Sequence, residues 1–197
     1  MNLWHRSALR LLAPLTAVAV MVVGSAIASS ASPVSGAAVR SLDQAQNLTT
    51  GEYVYLIHKK TGRYLDAHEI GGTYDFNVVT RPFQGDFTQV WYRIPVYARE
   101  DGFIAYEIMQ ISSGRFLDAH EIPQNDFRAV TRERQFNTTQ YWFMYKSPYD
   151  EIETTFINQW SSNRELQAYD TSSMDFRAVT RDCCNSSQIW QVVPVIF

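Results

Sequence analysis

The chain has 197 residues, 46% of them hydrophobic and 14% aromatic, with 17 lysines and arginines against 20 acids for a formal net charge of −3. That acidic balance excludes a nucleic-acid partner, which needs a basic patch to displace counterions from phosphates. The two cysteines, Cys183 and Cys184, are adjacent, which excludes a disulfide staple between distant segments.

In chain order, His5, Arg6 and Arg10 precede an apolar run from Leu11 to Val23 and then Ala26-Ile27-Ala28. This is the layout of a secretory signal peptide over residues 1–28. The run falls short of the roughly 20 apolar residues of a membrane span, and no second run follows. An exported, extracellular protein without a transmembrane span is expected. Residues 29–51 are Ser, Ala, Pro, Val and Gln without period and read as a flexible linker. Residues 52–197 suffice for one domain with its own core.

Within that domain one unit occurs three times, over about 52–99, 100–148 and 149–197. The first copy has Gly62-Arg63-Tyr64-Leu65-Asp66-Ala67-His68-Glu69, then Asp75 to Arg81, then Gln89-Val90-Trp91. The second has Gly114 to Glu121, Asp126 to Arg132 and Gln140-Tyr141-Trp142. The third is altered at its front, Asn163 to Asp170, and intact behind, Asp175 to Arg181 and Gln188-Ile189-Trp190. Such a repeat is an architecture signal. Its short alternations, broken by Gly, Asn, Asp and Pro, exclude helical repeats.

Four strands per copy are expected. In the first copy they are Tyr53–Ile57, Arg63–His68, Asn77–Thr80 and Gln89–Pro95; in the second Ile104–Ile111, Arg115–His120, Arg128–Thr131 and Gln140–Tyr145. In the third they are Thr154–Gln159, Glu165–Tyr169, Arg177–Thr180 and Gln188–Val193. Twelve strands closed into a threefold barrel capped by hairpins would remove most free edges. Alternation along Arg63–His68 sends Leu65 and Ala67 inward and Asp66 and His68 outward together.

Three copies that each end in Gln-x-Trp resemble the β-trefoil lectin domains of ricin B-chain type, and the resemblance covers Glu52 to Phe197. It implies an all-β, β-trefoil fold with the three tryptophans packed in a shared core. Comparison of the copies separates two sets of residues. Gln89, Trp91, Gln140, Trp142, Gln188 and Trp190 persist in all three and are expected to be structural, with the indoles buried and the Gln amides satisfying loop backbone. Asp75, Asp126 and Asp175 with Arg81, Arg132 and Arg181 also persist, and are expected to tie each loop to its own strand.

The front set, Asp66, His68 and Glu69 with Asp118, His120 and Glu121, is lost in the third copy, which has Gln167, Tyr169 and Asp170. The resemblance implies that Asp66 and Asp118 accept hydrogen bonds from sugar hydroxyls, a task suited to a carboxylate; the rival reading is that they cap the hairpin. Where such lobes carry a stacking aromatic, this chain has Arg81 and Arg132. That suits an anionic or heavily hydroxylated ligand, with Tyr64, Phe116 or Tyr74 as stacking faces. The family's Asn before Gln-x-Trp is Thr88, Thr139 or Ser187, and its lobe disulfide has no counterpart. Of a vicinal bond, an intermolecular bridge and a small buried residue beside a loop thiol, the last is expected for Cys183 and Cys184.

The sequons at Asn47, Asn137 and Asn185 are expected to reflect turn chemistry. The leading function is a non-enzymatic carbohydrate-binding module with two competent lobes and no metal or other cofactor, its partners glycans or glycoproteins. The alternative is a protein-binding trefoil, a hydrolase inhibitor or the cell-binding part of a toxin, with the stretch from Tyr145 to Thr155 as the loop that breaks the symmetry. An enzyme is disfavoured because a glycosidase needs two carboxylates in distinct environments, whereas one cluster here occurs twice. Removing Asp66 and Asp118 together is expected to abolish glycan retention and leave thermal unfolding nearly unchanged.

Overall fold

The structure is a computed structural model that describes residues 50–71, 76–146 and 154–197. The signal peptide, nearly all of the linker, Asn47, Tyr74, Asp75 and most of the loop before Thr155 lie outside the described residues. The strands are β1 (Glu52–His58), β2 (Arg63–Ala67), β3 (Val78–Arg81), β4 (Trp91–Ala98), β5 (Ile104–Gln110), β6 (Phe116–Ala119), β7 (Ala129–Arg132), β8 (Trp142–Lys146), β9 (Thr154–Gln159), β10 (Glu165–Ala168), β11 (Ala178–Arg181) and β12 (Ile189–Pro194).

The chain is a twelve-stranded β-trefoil. Strands β1, β4, β5, β8, β9 and β12 pair in a closed antiparallel ring, and the hairpins β2–β3, β6–β7 and β10–β11 cap it. Trp91, Trp142 and Trp190 are wholly buried among Leu56, Leu65, Ile108, Leu117, Ile157 and Leu166. Each indole N–H donates to the carbonyl of a cap-strand leucine: Leu65 at 3.0 Å, Leu117 at 3.0 Å and Leu166 at 2.9 Å. This meets the polar requirement of a buried tryptophan without a water.

The expected fourth strands start too early, because each Gln amide is occupied by the loop before it. Gln89 accepts from the Gln84 N–H at 2.8 Å and donates to the Pro82 carbonyl at 2.9 Å. Gln140 and Gln188 bridge their own loops in the same way. Strand β4 also runs on past Pro95 through a register shift between Pro95 and Tyr97, since a proline without a ladder donor is accommodated at a bulge. The sequon asparagines Asn137 and Asn185 accept from backbone N–H groups two residues on, as Asp86 does in the first lobe. This is Asx-turn chemistry.

The cap is cyclic. Phe76, Phe127 and Phe176 hold left-handed φ angles of 53°, 50° and 47°. Their carbonyls accept from Thr131, Thr180 and Thr80 of the next lobe at 3.0, 2.8 and 2.9 Å. Over the same three rings lie the guanidinium groups of Arg115, Arg164 and Arg63, at 3.8, 3.8 and 3.7 Å. Each lobe therefore grips its predecessor by one ladder bond and one cation–π contact.

Candidate functional site

Strand alternation places Asp66 and Asp118 outward, and the structure corrects this: both are wholly buried. A cap-hairpin strand has the core on one face and the loop that carries the Gln-x-Trp on the other, so neither face is free. One Asp66 oxygen accepts from the Ala67 N–H at 2.7 Å, while the other accepts from the Thr88 hydroxyl at 3.2 Å and faces Arg81 at 3.5 Å. Asp118 keeps the bond from the Ala119 N–H at 2.7 Å and the contact with Arg132 at 3.3 Å, without a hydroxyl donor, since Thr139 bonds Asn137 instead. Burial raises the Asp66 carboxyl above its ordinary range, opposed in part by Arg81 and these hydrogen bonds. With no exposed surface, neither acid is a sugar acceptor in this structure; both brace an arginine.

The braced arginines, about 30% exposed, donate onward to histidine: Arg81 to His68 Nδ1 and Arg132 to His120 Nδ1, each at 3.2 Å. An arginine only donates, so Nδ1 is the acceptor in both contacts. In His68 the other ring nitrogen, Nε2, faces Asp175 of the third lobe at 3.6 Å. Glu69 and Glu121 are exposed at the hairpin ends. The front set thus forms a file running from a buried Asp through a half-buried Arg to His, with the Glu apart.

The pairing of Asp and Arg six residues apart also needs correction. Arg181 bonds Asp126 of the second lobe at 2.5 Å, Arg177 approaches the same carboxylate at 3.4 Å, and the Tyr169 hydroxyl donates to it at 3.2 Å. Asp126, and Asp175 through His68, join lobes rather than tying a loop to its own strand; Asp75 lies outside the described residues. The left-handed turn at Asp126, φ 54°, presents its carboxylate across the lobe boundary.

The expected thiols at Cys183 and Cys184 are instead bonded to one another, and both residues are exposed. Their sulfurs and the Glu165 carboxylate lie within 4.8 Å of one another, but joined sulfurs are not thiolate ligands. Burial raises the Glu165 carboxyl. Tyr64 packs edge-on to Tyr55 and against Phe83, and Phe116 is buried under Arg134. Neither offers an open ring face.

An open aromatic face lies elsewhere, between β8–β9 and the β4–β5 hairpin. A cleft of about 410 Å³ is lined by Tyr97, Arg99, Phe143, Tyr145, Asn158, Trp160 and Asn163. The Trp160 ring stands 5.1 Å from both Tyr97 and Phe143, tilted 47° and 40°. Tyr97 is 45% exposed, whereas Phe143 and Asn158 are buried at 4% and 6%, so the aromatic walls have an amide at depth. Burial raises the Tyr145 hydroxyl, which stays a protonated donor at neutral pH.

The indole of this cleft has no counterpart at the equivalent position of the other two lobes. Lys59, Ile111 and Trp160 are equivalent: each backbone N–H donates to the middle residue of a Gln-x-Trp, Ile189, Val90 or Tyr141. Only the third carries an indole. The reading of the sequence missed it, although Trp160 is the one tryptophan after the linker outside a Gln-x-Trp.

No protein-family model matches the sequence, and no curated protein does. Solved structures do. A designed 3-fold symmetric protein, ThreeFoil, superposes with a TM-score of 0.58 at 18% identity, over 73% of this chain and 99% of its own. The Polyporus squamosus lectin bound to a human-type influenza-binding epitope gives 0.59 at 12% identity, over 73% of this chain and 49% of that one. An exo-β-1,3-galactanase from Clostridium thermocellum gives 0.60 at 19%, over 75% of this chain and 31% of that one. At such identities these likenesses establish the fold, a β-trefoil.

Proposed function

We propose that the domain is a non-enzymatic, lectin-like carbohydrate-binding module, exported from the cell, whose partners are glycans or glycoproteins. The observation that carries this is the cleft of Trp160, Tyr97, Phe143 and Tyr145, whose lining also holds Asn158, Asn163 and Arg99. Aromatic faces take the apolar face of a pyranose, and a few convergent amide, hydroxyl and guanidinium groups take its hydroxyls. Among the described residues, the lining of this cleft holds no carboxylate. Support also comes from the lectin and galactanase that share the fold, in the general sense that trefoils host such sites.

The site residues read from the sequence take a reduced part. Asp66 and Asp118 serve the fold, His68 and His120 have both ring nitrogens covered, and Arg81 and Glu69, with Arg132 and Glu121, are accessible polar groups for contacts outside the cleft. The test is retention on immobilised glycans, guided by a glycan array. Trp160→Lys installs the residue that the first lobe carries as Lys59, so cooperative unfolding should persist while retention falls at least about tenfold. Unchanged retention in this variant, with loss in Arg81→Ala plus Arg132→Ala, would return the site to the paired lobes.

A second reading, protein contact, is favoured by one specific observation. Phe83, Phe87, Ile196 and Phe197 are 57–95% exposed, and Phe87, Ile196 and Phe197 border a cavity of about 230 Å³ with Tyr55 and Val195. Exposed apolar residues gathered in this way mark contact surfaces. Inhibition of a secreted glycosidase or protease that is lost in Phe87→Asp would establish it.

A further inference from the structure

We infer that the aromatic cleft is one half of a two-subsite groove, and that its ligand is an oligosaccharide of at least two units with a neutral residue in the second subsite. This rests on the carbohydrate-binding reading and adds the length and charge of the ligand. A second cavity, of about 340 Å³, is lined by Tyr97, Arg99, Glu100 and Asp101. It shares Tyr97 and Arg99 with the aromatic cleft, so the two are adjacent, on either side of those side chains.

The shared wall is built in advance of any ligand. The Arg99 N–H donates to the Phe103 carbonyl at 2.7 Å and the Gly102 N–H to the Arg99 carbonyl at 3.0 Å, closing the β4–β5 turn. Gly102 takes the φ of 90° that this turn requires. The Arg99 guanidinium bonds Asp101 at 2.6 Å and stands 5.4 Å from the Phe143 ring centre. Tyr97 and Arg99 are thus fixed between an aromatic subsite and an acidic one, and little loop entropy remains to be lost on binding.

The two halves differ in what they accept. The aromatic half stacks one sugar ring. The other half offers the Glu100 carboxylate beside Asp101, whose charge is paired with Arg99; Glu100 accepts hydrogen bonds from hydroxyls and repels a uronic or sialic carboxylate.

Calorimetric titration of the domain with mono-, di- and trisaccharides of glucose, galactose and N-acetylglucosamine, and with a uronic-acid disaccharide, tests this. The preferred neutral disaccharide should bind about tenfold or more tighter than its monosaccharide, as charged hydrogen bonds predict, and tighter than the acidic disaccharide. Glu100→Gln keeps side-chain size and leaves the Arg99–Asp101 pair intact. It should lower disaccharide affinity to the monosaccharide level and leave monosaccharide affinity unchanged. Equal mono- and disaccharide affinity in the wild type, equal loss for both in the variant, or equal binding of the acidic disaccharide overturns the groove while leaving the lectin reading in place. No heat from any sugar, confirmed by absence of retention on the glycan array, overturns that reading and the groove with it.

Discussion

His58, Gln110 and Gln159 perform one task with two chemistries. The Gln110 and Gln159 amides donate to the Thr88 and Thr139 carbonyls and accept from Ser113 and Ser162. His58 meets the Ser187 carbonyl with Nε2, at 3.1 Å, and Thr61 with Nδ1, at 2.9 Å. Burial holds the His58 imidazole below its ordinary value of 6.5, against the opposing pull of the Ser187 carbonyl and Asp170. The unfolded chain therefore takes up this proton first. The stability that His58 contributes is full above about pH 6.5 and falls as the pH drops below it. His58→Gln should remove that part of the acid sensitivity, read as a smaller drop in urea midpoint between pH 7 and pH 5 than in the wild type. Asp66 and Asp118 reverse an expectation. Removing either carboxylate leaves a buried backbone N–H unmet, so Asp66→Ala and Asp118→Ala should each lower stability by about 1–3 kcal/mol in denaturant unfolding. Trp142→Ala should cost about 3–5 kcal/mol by the same measurement, since its whole indole is buried.

At the scale of the element, the cap hairpins were legible as elements and illegible as a ring. The run from Asp126 to Arg132 announces a turn and a short strand, and the strand is β7. Spacing along one copy does not say which lobe receives a side chain, so Asp126 was paired with Arg132 when it in fact holds Arg181 across the boundary. The same blindness hid the Phe127 carbonyl and ring, which hold Thr180 and Arg164. Phe127→Ala keeps the ladder bond and removes the ring, and should cost about 1–2 kcal/mol, the value of a partly desolvated cation–π contact. Chemical denaturation checks it. An effect near zero would assign the cohesion of the ring to the ladder bonds and the cross-lobe ion pairs.

For the whole molecule, threefold repetition and the single cleft pull in opposite directions. Two intact front sets predict two ligands per chain, whereas a cleft made by Trp160, Tyr97 and Phe143 at one boundary predicts one. Calorimetric titration should give a stoichiometry of one per chain; a value of two would favour the lobes of Arg81 and Arg132. The sequence by itself determined the fold class, the three lobes and the interior place of Trp91, Trp142 and Trp190, because periodicity, turn residues and repetition are local or self-comparing signals. Only the tertiary structure decided that Asp66 and Asp118 are sealed and that Tyr97, Phe143 and Trp160 meet. Burial and cross-lobe contact depend on which loop covers which strand, and no spacing within one copy records that.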